Sequence, residues 1–334
     1  MKRTGNLIEK IADIDNLYLA FYKAAKSKCQ RREVIDYRQR LDRNIAQLHS
    51  EILSGNMQVG NYHYFKIYDP KERIICAAAF AERVLHHALM NVCHANFEKY
   101  QIFHSYASRV GKGTYAALQQ ASVYQKKYAW FLKLDVRKYF DNINHEILKN
   151  MLRKRFKDEK LLILFDKIIN SYNSQFSISN SQLKGLPIGN LTSQYFANHY
   201  LAVADHFVTE NLCILAYVRY MDDMVIWGNN KNELLLLGKN FQNFVEENLN
   251  LELKPFCLNS CEKGLQFLGY RLYKNHTQLS NQSKKRFTGK FKQYYYYLNN
   301  GLWNENVYQS HILPLLAFAN HADTKNLRKK LLEN

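Results

Sequence analysis

The chain has 334 residues, with 47 Lys plus Arg against 29 Asp plus Glu and a formal net charge of +18 at pH 7. Its length allows two or three subdomains around a sizeable core, and a hydrophobic content of 47% excludes a chain that is disordered throughout. The charge predicts a polyanionic partner, with nucleic acid first and an anionic membrane second. No window approaches about twenty uncharged apolar residues and the N-terminus lacks a signal-peptide core, so we expect a cytoplasmic protein without a membrane role.

The first elements of the chain are helical and increasingly basic, over residues 6–52. The Lys and Arg side chains there could form a solvated face, but their Tyr and Phe neighbours suit an RNA backbone better. Residues 62–68 then alternate like a strand, residues 69–72 predict a turn, and residues 73–77 predict the returning strand. A β-hairpin is therefore expected after a basic helical segment.

A helical pattern at 80–89 leads to a loop that ends in Gly111-Lys112-Gly113-Thr114. These residues lack the four-residue spacer of a Walker phosphate loop, so we reject that interpretation. We expect a helix to start near Thr114, directly after this loop.

Two apolar segments deliver carboxylates. The strand-like run Trp130–Asp135 ends in Asp135 before a helical pattern near 144–148, and residues 215–227 contain two β-prone runs around Asp222 and Asp223. The second pattern predicts a β-hairpin whose tight turn is made of these two carboxylates. An isolated Asp-Asp turn is usually only solvated. Two strands that end in carboxylates, however, can share a pair of Mg²⁺ ions roughly 3.5–4 Å apart, as phosphoryl transfer requires.

The rest of the chain is predicted to contain one long helix, one hairpin and a basic C-terminal region. A polar loop is expected at 170–181, an amphipathic helix at 231–249 and a hairpin at 264–272. The residues beyond it are rich in Lys, Arg and Tyr, as a small helical region tracking a duplex backbone would be.

These segments together resemble the ordered motifs of reverse transcriptases over roughly residues 60–275. The strand ending at Asp135 is similar to motif A, the hairpin Tyr220-Met221-Asp222-Asp223 to motif C, residues 251–254 to motif D and residues 264–272 to motif E. The resemblance implies an α+β right-hand polymerase with fingers, a palm built on an antiparallel sheet, and a small helical thumb. The implied enzyme is an RNA-directed DNA polymerase, a nucleotidyltransferase.

The resemblance also implies a division of the chain into four regions. These are an N-terminal basic helical extension at 1–60, fingers at 61–130, a palm at 131–262 with a fingers-associated segment at about 165–190, and a primer-grip hairpin with thumb at 263–334.

The resemblance assigns catalytic roles to four residues. Asp135 and Asp222 are the expected main metal ligands, with Asp223 adjacent and supporting, for two Mg²⁺ ions that Mn²⁺ could replace. Lys254 is a candidate general acid for the leaving pyrophosphate, and it could equally be a surface lysine.

Further residues are expected to contact the nucleotide or the nucleic acid. Arg73, with Lys66 as a weaker second, matches the basic residue that grips the triphosphate, and Phe140 matches an aromatic gate against the 2′-hydroxyl. Ile188 and Gly189 are expected at the nascent base pair. The expected template or primer contacts are Arg109, Ser193, Gln194, Phe267, Leu268, Gly269 and Tyr270.

The segment from Gly185 to Gln194 points to a subgroup. Most reverse transcriptases place Gln before the glycine and end the motif with Ser-Pro, whereas this chain has Ile188 and Gln194. The pattern Ile-Gly-x-x-x-Ser-Gln resembles the reverse transcriptases of diversity-generating retroelements. That resemblance implies error-prone, adenine-mutagenic cDNA made from a structured template-repeat RNA, mutagenic retrohoming into a target gene, and a pentameric basic accessory protein, in a bacterial or phage-infected cell.

Two alternatives remain open from the sequence. A retron- or group II intron-type reverse transcriptase is disfavoured by Ile188 and Gln194. A catalytically idle RNA-binding or phage-defence protein on the same scaffold is disfavoured by the intact carboxylates at 135, 222 and 223.

Overall fold

The chain divides into two compact units, each made of discontinuous stretches. The structure, a computed structural model, describes residues 3–68, 72–172 and 183–332. The first unit comprises Met1–Phe103, Val136–Phe207 and Phe241–Leu253, and the second comprises His104–Asp135, Val208–Asn240 and Lys254–Asn334. The finer division into extension, fingers, palm and thumb stays a prediction.

The described residues form helices and antiparallel strands. In chain order these are α1 (Ile8–Ala12), α2 (Ile14–Ala25), α3 (Arg32–Gln39), α4 (Leu41–Ser54), β1 (Tyr62–Ile67), β2 (Arg73–Ala78), α5 (Phe80–Glu98), α6 (Thr114–Lys127), β3 (Trp130–Asp135), α7 (Tyr139–Asn142), α8 (His145–Arg155), α9 (Glu159–Asn170), α10 (Leu191–His206), a π-helical turn (Phe207–Asn211), β4 (Tyr217–Tyr220), β5 (Asp223–Gly228), α11 (Lys231–Leu249), β6 (Cys257–Ser260), a 3₁₀ turn (Cys261–Lys263), β7 (Leu265–Phe267), β8 (Tyr270–Leu272), β9 (Thr277–Leu279), α12 (Asn281–Asn299), α13 (Glu305–Asn320) and α14 (Lys325–Leu332).

Most of the predicted elements are confirmed. The basic N-terminal segment forms α1 to α4, and β1 pairs antiparallel with β2, with Tyr62 opposite Ala78 and Ile67 opposite Arg73. The helix near Thr114, the strand ending at Asp135 and the hairpin at 264–272 are also present. Residues 69–71 of the predicted turn at 69–72, and residues 173–181 of the predicted polar loop at 170–181, lie outside the described residues. Strands β6 and β9 were not predicted.

The first unit is organised around aromatic side chains from helices far apart in sequence. The ring of Phe97 on α5 lies 5.4 Å from Phe156, 6.4 Å from Phe165 and 6.2 Å from Phe196, measured between centroids. All four side chains are buried. Tilted and edge-on ring pairs at these distances add to the stabilisation that burial alone supplies.

A carboxylate joins the start of the chain to this core. Asp158 caps its own helix α9, with Oδ1 accepting a hydrogen bond from the Leu161 N–H at 3.3 Å. Its other oxygen, Oδ2, accepts from the N–H groups of Leu7 and Ile8 at 2.8 and 3.1 Å. One side chain therefore satisfies orphan donors at the beginnings of two helices.

The second unit contains a four-stranded antiparallel sheet in the order β4-β5-β3-β6. Strand β3 is internal, with Asp135 opposite Asp223 on β5 and Lys133 opposite Cys257 on β6. One hydrophobic core covers a face of this sheet, and it includes Phe131, Val225 and residues of α6 and α12. Leu132 and Leu134, which alternate with Phe131 along β3, are buried as well, so burial on both faces fixes the register of this strand.

A second sheet, in the order β7-β8-β9, carries the predicted primer-grip hairpin. Its turn residues Leu268 and Gly269 both have positive φ, 48° and 88°, which matches the twist that a two-residue hairpin needs. Phe267 and Tyr270 on either side are fully buried, and the Tyr270 hydroxyl donates to the Phe318 carbonyl of α13 at 2.8 Å. Helices α12 to α14 confirm the predicted helical C-terminal region.

No helix in the part of the chain that the structure describes is long and apolar enough to cross a bilayer.

Gln125 of α6 is a buried polar side chain that links three elements of the second unit. Its Nε2 donates to the Cys261 carbonyl and its Oε1 accepts from Trp227 Nε1, both at 2.9 Å. Gln125 is 0% exposed, so neither partner could turn to water instead if the amide were lost.

Replacing Gln125 should therefore cost more than an ordinary surface change. We expect Gln125→Leu to lower the free energy of unfolding by roughly 2–4 kcal/mol, because each buried group left unpaired costs about 1–3 kcal/mol. Urea unfolding followed by tryptophan fluorescence measures this. Gln119→Leu, on the exposed side of the same helix, is the control and should shift the value by less than about 0.5 kcal/mol. Equal effects of the two substitutions would contradict the bridging role.

Candidate catalytic carboxylate site

The β4–β5 hairpin turns one residue earlier than the sequence suggested. Tyr220 pairs with Asp223 across the strands, so the two turn residues are Met221 and Asp222. Met221 has a φ of 54°, in the left-handed region that few residues other than glycine adopt. The predicted turn of two carboxylates is therefore wrong in detail: Asp222 is in the turn, and Asp223 is the first residue of β5.

This register brings two of the predicted carboxylates together. Asp135, the last residue of β3, is the direct cross-strand partner of Asp223. Opposed residues on antiparallel strands have Cβ atoms about 4.5–5.5 Å apart, so their side chains interact. Asp222 follows in the adjoining turn, and its pKa responds to both neighbours.

Two lysines offset part of this negative charge. Lys254 Nζ lies 2.7 Å from Asp135 Oδ2, and its backbone N–H donates to the Asp135 carbonyl at 2.8 Å. Lys133 Nζ lies 2.9 Å from Asp223 Oδ1. The structure thus places the predicted general-acid candidate, Lys254, against the carboxylates.

Lys133 was not identified from the sequence. Its Nζ also donates to the Gln266 carbonyl at 3.0 Å and lies 5.9 Å from the centre of the Phe267 ring. Lys133 therefore joins Asp223 to the hairpin of β7 and β8. The signal was available, because Lys133 lies two residues before Asp135 on a strand and so shares its face.

Burial and mutual repulsion act on the acidic groups. Burial raises the pKa of Asp222 above its usual value; a backbone hydrogen bond opposes this, the charges of Asp135 and Asp223 raise the pKa further, and Lys254 lowers it. Burial likewise raises the pKa of Asp223, with Lys133 opposing and Asp135 adding to the rise. Such clustered like charges are costly to a fold and are typical of functional sites.

The acidic side chains of this site are of the type that binds a divalent metal. Within residues 3–68, 72–172 and 183–332, no three His, Cys, Asp or Glu side chains are already arranged to hold a metal ion. The buried Oδ1 of Asp135 nevertheless has no hydrogen-bond partner among the described residues, and every acidic donor here is a hard carboxylate oxygen. The residues therefore fit Mg²⁺ or Mn²⁺ in type, with Asp135 supplying a free oxygen.

The predicted nucleotide-contact residues belong to the first unit. Arg73 begins β2 and is exposed, and Lys66 on β1 forms a salt bridge with Glu72 at 2.7 Å. Phe140 is half-buried in α7, and its carbonyl accepts from the Leu186 N–H at 2.8 Å. That bond joins the predicted gate residue to the segment that leads to Ile188.

Gly189 is required where the chain passes close to β2. Its φ is 125°, and an added Cβ would lie 3.0 Å from Ile75 Cγ2 and 3.1 Å from the Cys76 carbonyl oxygen. Any larger residue would be strained in backbone and crowded by β2 at once. Ile188 before it is half-buried.

The predicted template and primer contacts differ in exposure. Gln194 is exposed, whereas Ser193 is 2% exposed in α10. Arg109 is half-buried and donates from Nη1 to the Ser105 carbonyl at 2.7 Å. In the hairpin of β7 and β8, Leu268 and Gly269 are half-buried while the flanking aromatic rings are buried. Of the four hairpin residues predicted to contact the primer, the two in the turn are the more accessible.

Comparison with known proteins gives the same family as the motifs. A family model described as reverse transcriptase (RNA-dependent DNA polymerase) matches residues 69–272. Protein YkfC of Escherichia coli is 22% identical over 276 residues, which cover 69% of this chain and 71% of that protein. A COX1/OXI3 intron 2 protein of Saccharomyces cerevisiae is 20% identical over 269 residues, covering 63% of this chain and only 30% of that protein.

A solved structure supports the fold. A Candida tropicalis telomerase in complex with a fragment of telomeric RNA superimposes with a TM-score of 0.50 and 11% identity, covering 83% of this chain and 55% of that one. The α+β right-hand polymerase fold expected from the motifs is confirmed. The chain spans less than two thirds of the yeast intron protein and of the telomerase.

The raised pKa of Asp222 predicts that this residue destabilises the protein at neutral pH. Because the folded pKa lies above the unfolded value, the stability it contributes is full below about pH 4 and is lost as pH rises through the folded pKa. We expect Asp222→Asn to raise the midpoint of thermal unfolding at pH 7 in EDTA, and the gain to shrink toward pH 4. Asp36→Asn, at an exposed site, should show no such gain. A loss of stability at pH 7 in Asp222→Asn would contradict the assigned repulsion.

Proposed function

We propose that this chain, which belongs to the reverse transcriptase (RNA-dependent DNA polymerase) family, copies an RNA template into DNA by adding deoxynucleotides to a 3′ end. The observation that carries the proposal is the pairing of Asp135 with Asp223 across β3 and β5, with Asp222 in the adjoining turn. Carboxylates at one end of two neighbouring strands are what metal-assisted phosphoryl transfer requires. The basic net charge suits a nucleic-acid substrate.

Reverse transcriptases use divalent metal ions, and Asp135, Asp222 and Asp223 would hold Mg²⁺ here. An ion held by these carboxylates would supply the positive charge that lowers the pKa of a 3′-hydroxyl and offsets the charge of a triphosphate. Lys254 would hold the proton that pyrophosphate takes as it leaves. Its present salt bridge to Asp135 keeps its ammonium group at the site.

The remaining residues would bind and orient the nucleotide. Arg73 on β2 would grip the triphosphate, with Lys66 in a secondary role, because a guanidinium binds phosphate oxygens with two parallel hydrogen bonds. The Phe140 ring would stand beneath the sugar and exclude a 2′-hydroxyl. Arg109, Gln194 and the Leu268-Gly269 turn would contact template or primer.

We further propose that the enzyme is the mutagenic polymerase of a diversity-generating retroelement. The support is Ile188, which replaces the Gln that most relatives place before the glycine. An aliphatic side chain neither donates nor accepts a hydrogen bond, so it tests the base pair by shape alone. The loss of one or two hydrogen bonds is worth roughly 1–3 kcal/mol, about a ten- to hundredfold loosening of discrimination.

The proposed partners follow from the same subgroup. They are a structured template-repeat RNA, a primer or cDNA strand, deoxynucleotides and a pentameric basic accessory protein. Two basic proteins would meet in part through the RNA that both bind.

Primer extension on an adenine-containing RNA template with Mg²⁺ tests both levels of the proposal. Asp222→Ala should lower the extension rate by roughly a thousandfold, because the metal contributes several kcal/mol to the transition state. In Ile188→Gln, misincorporation at template adenines should fall by about tenfold or more. Every product is sequenced, and Asp36→Ala serves as a matched control with native rate and error.

Each other outcome points to a different function. Accurate copying by the native protein would leave an RNA-directed DNA polymerase and reject the mutagenic role in favour of a retron- or intron-type enzyme. No extension, even with the cognate RNA and accessory protein, would reject the polymerase and favour an RNA-binding protein on this scaffold.

A further inference from the structure

The loop at 188–190 is hydrogen-bonded to the edge of strand β2 that lies opposite β1. Hydrogen-bonding groups of a strand alternate between its two edges, and β1 occupies one edge of β2. On the other edge the Cys76 N–H donates to the Ile188 carbonyl at 2.8 Å, and the Ala78 N–H donates to Asn190 Oδ1 at 3.2 Å. We refer to this pair of hydrogen bonds, one to Ile188 and one to Asn190, as the β2 clamp.

The side chain of Asn190 accepts its bond of the β2 clamp from β2 and does not cap its own helix, α10. Asn190 is the N-cap residue of α10, and asparagine is among the best residues there because its side chain accepts from the first free N–H groups. Its side chain makes no such capping bond in the described structure. Its Nδ2 is also buried without a hydrogen-bond partner among the residues described.

The bond between Ala78 and Asn190 is therefore accompanied by two unfavourable local features, the uncapped start of α10 and the unpaired amide donor of Asn190. A side chain selected only to stabilise α10 would cap it, and one selected only for burial would not leave an amide donor unpaired. Residues that break local rules in this way are expected at functional sites. The side chain of Asn190, 2% exposed, instead serves the strand that begins with Arg73.

The residue between the two hydrogen bonds is closely packed against β2. Gly189 lies so close to β2 that an added Cβ would meet the Cys76 carbonyl oxygen at 3.1 Å. Ile188 is thus held against β2 by its own carbonyl bond and by the bond of Asn190 two residues later.

We propose that Asn190 is a positioning residue that sets nucleotide selection by fixing Ile188 relative to the strand carrying Arg73. This inference rests on the proposed function of the loop. A side chain that tests a base pair by shape, without hydrogen bonds to it, discriminates only if its position is fixed. The β2 clamp supplies that constraint through two backbone N–H groups of β2, which bind the Ile188 carbonyl and the Asn190 side chain.

Three substitutions separate this role from general stability. Asn190→Leu keeps the size of the side chain and removes the acceptor. Asn190→Asp keeps the acceptor, and its negative charge is favourable at a helix N-terminus. Thr192→Val is the matched control, since Thr192 is 0% exposed and its hydroxyl has no partner within the described residues, so this change removes no hydrogen bond.

Single-nucleotide insertion kinetics of the full chain provide the main measurement. Asn190→Leu should raise the KM for the correct deoxynucleotide roughly three- to tenfold, the effect of one hydrogen bond, and raise the ratio of wrong to right insertion by a similar factor. The kcat for correct insertion should stay near native. Asn190→Asp should restore both values, and Thr192→Val should match the native enzyme.

Several results would overturn the positioning role. Native KM and native insertion ratio in Asn190→Leu would do so while leaving the polymerase intact. So would a fall in kcat alone that Thr192→Val shares, because that describes a structural defect. If the native protein extends no primer, the proposed function fails and the positioning role fails with it.

Hydrogen exchange separates the clamp from the chemistry. The amide of Ala78 should exchange faster in Asn190→Leu than in the native protein, while Thr192→Val and Asn190→Asp should leave it protected. Faster exchange together with an unchanged insertion ratio would show a real bond without the proposed role. Unchanged exchange would remove the structural basis of the proposal.

Discussion

The pairing of β3 with β5 is the constraint on which the candidate site depends. It sets Asp135 directly opposite Asp223 and leaves Asp222 in the turn beside them. A slip of one residue would turn every side chain of β3 to the other face, carrying Asp135 away from its partner. The buried side chains of Leu132 and Leu134 alternate with Lys133 and Asp135 and therefore hold this register.

The charged groups of the candidate site lower the stability of the folded protein. Burial and like charges raise the pKa of Asp222 and of Asp223, and Lys133 and Lys254 offset only part of that repulsion. Carboxylates crowded in this way favour binding a divalent cation, because a cation relieves the repulsion that the fold imposes. The Lys133 ammonium group also donates to the Gln266 carbonyl. The lysine that forms a salt bridge with Asp223 therefore connects this carboxylate to the β7–β8 hairpin.

The first unit uses a strand edge for a related purpose. There the edge of β2 opposite β1 holds a loop, and Gly189 permits the close approach. Selection by shape demands a rigid support, which a backbone-anchored loop provides. In both units, exact placement of a few side chains depends on the hydrogen bonds of a strand.

Local pattern in the sequence was sufficient to predict most of the helices and hairpins and to single out the three carboxylates, because periodicity and turn chemistry act over a few residues. It placed the β4–β5 turn one residue late, since Met221 adopts a left-handed φ that its side chain disfavours. The salt bridge of Lys133 with Asp223 and the bond from Ala78 to Asn190, 112 residues apart, were decided by tertiary structure. A local rule would have Asn190 cap its own helix; only the packed chain brings β2 near enough to compete for that oxygen.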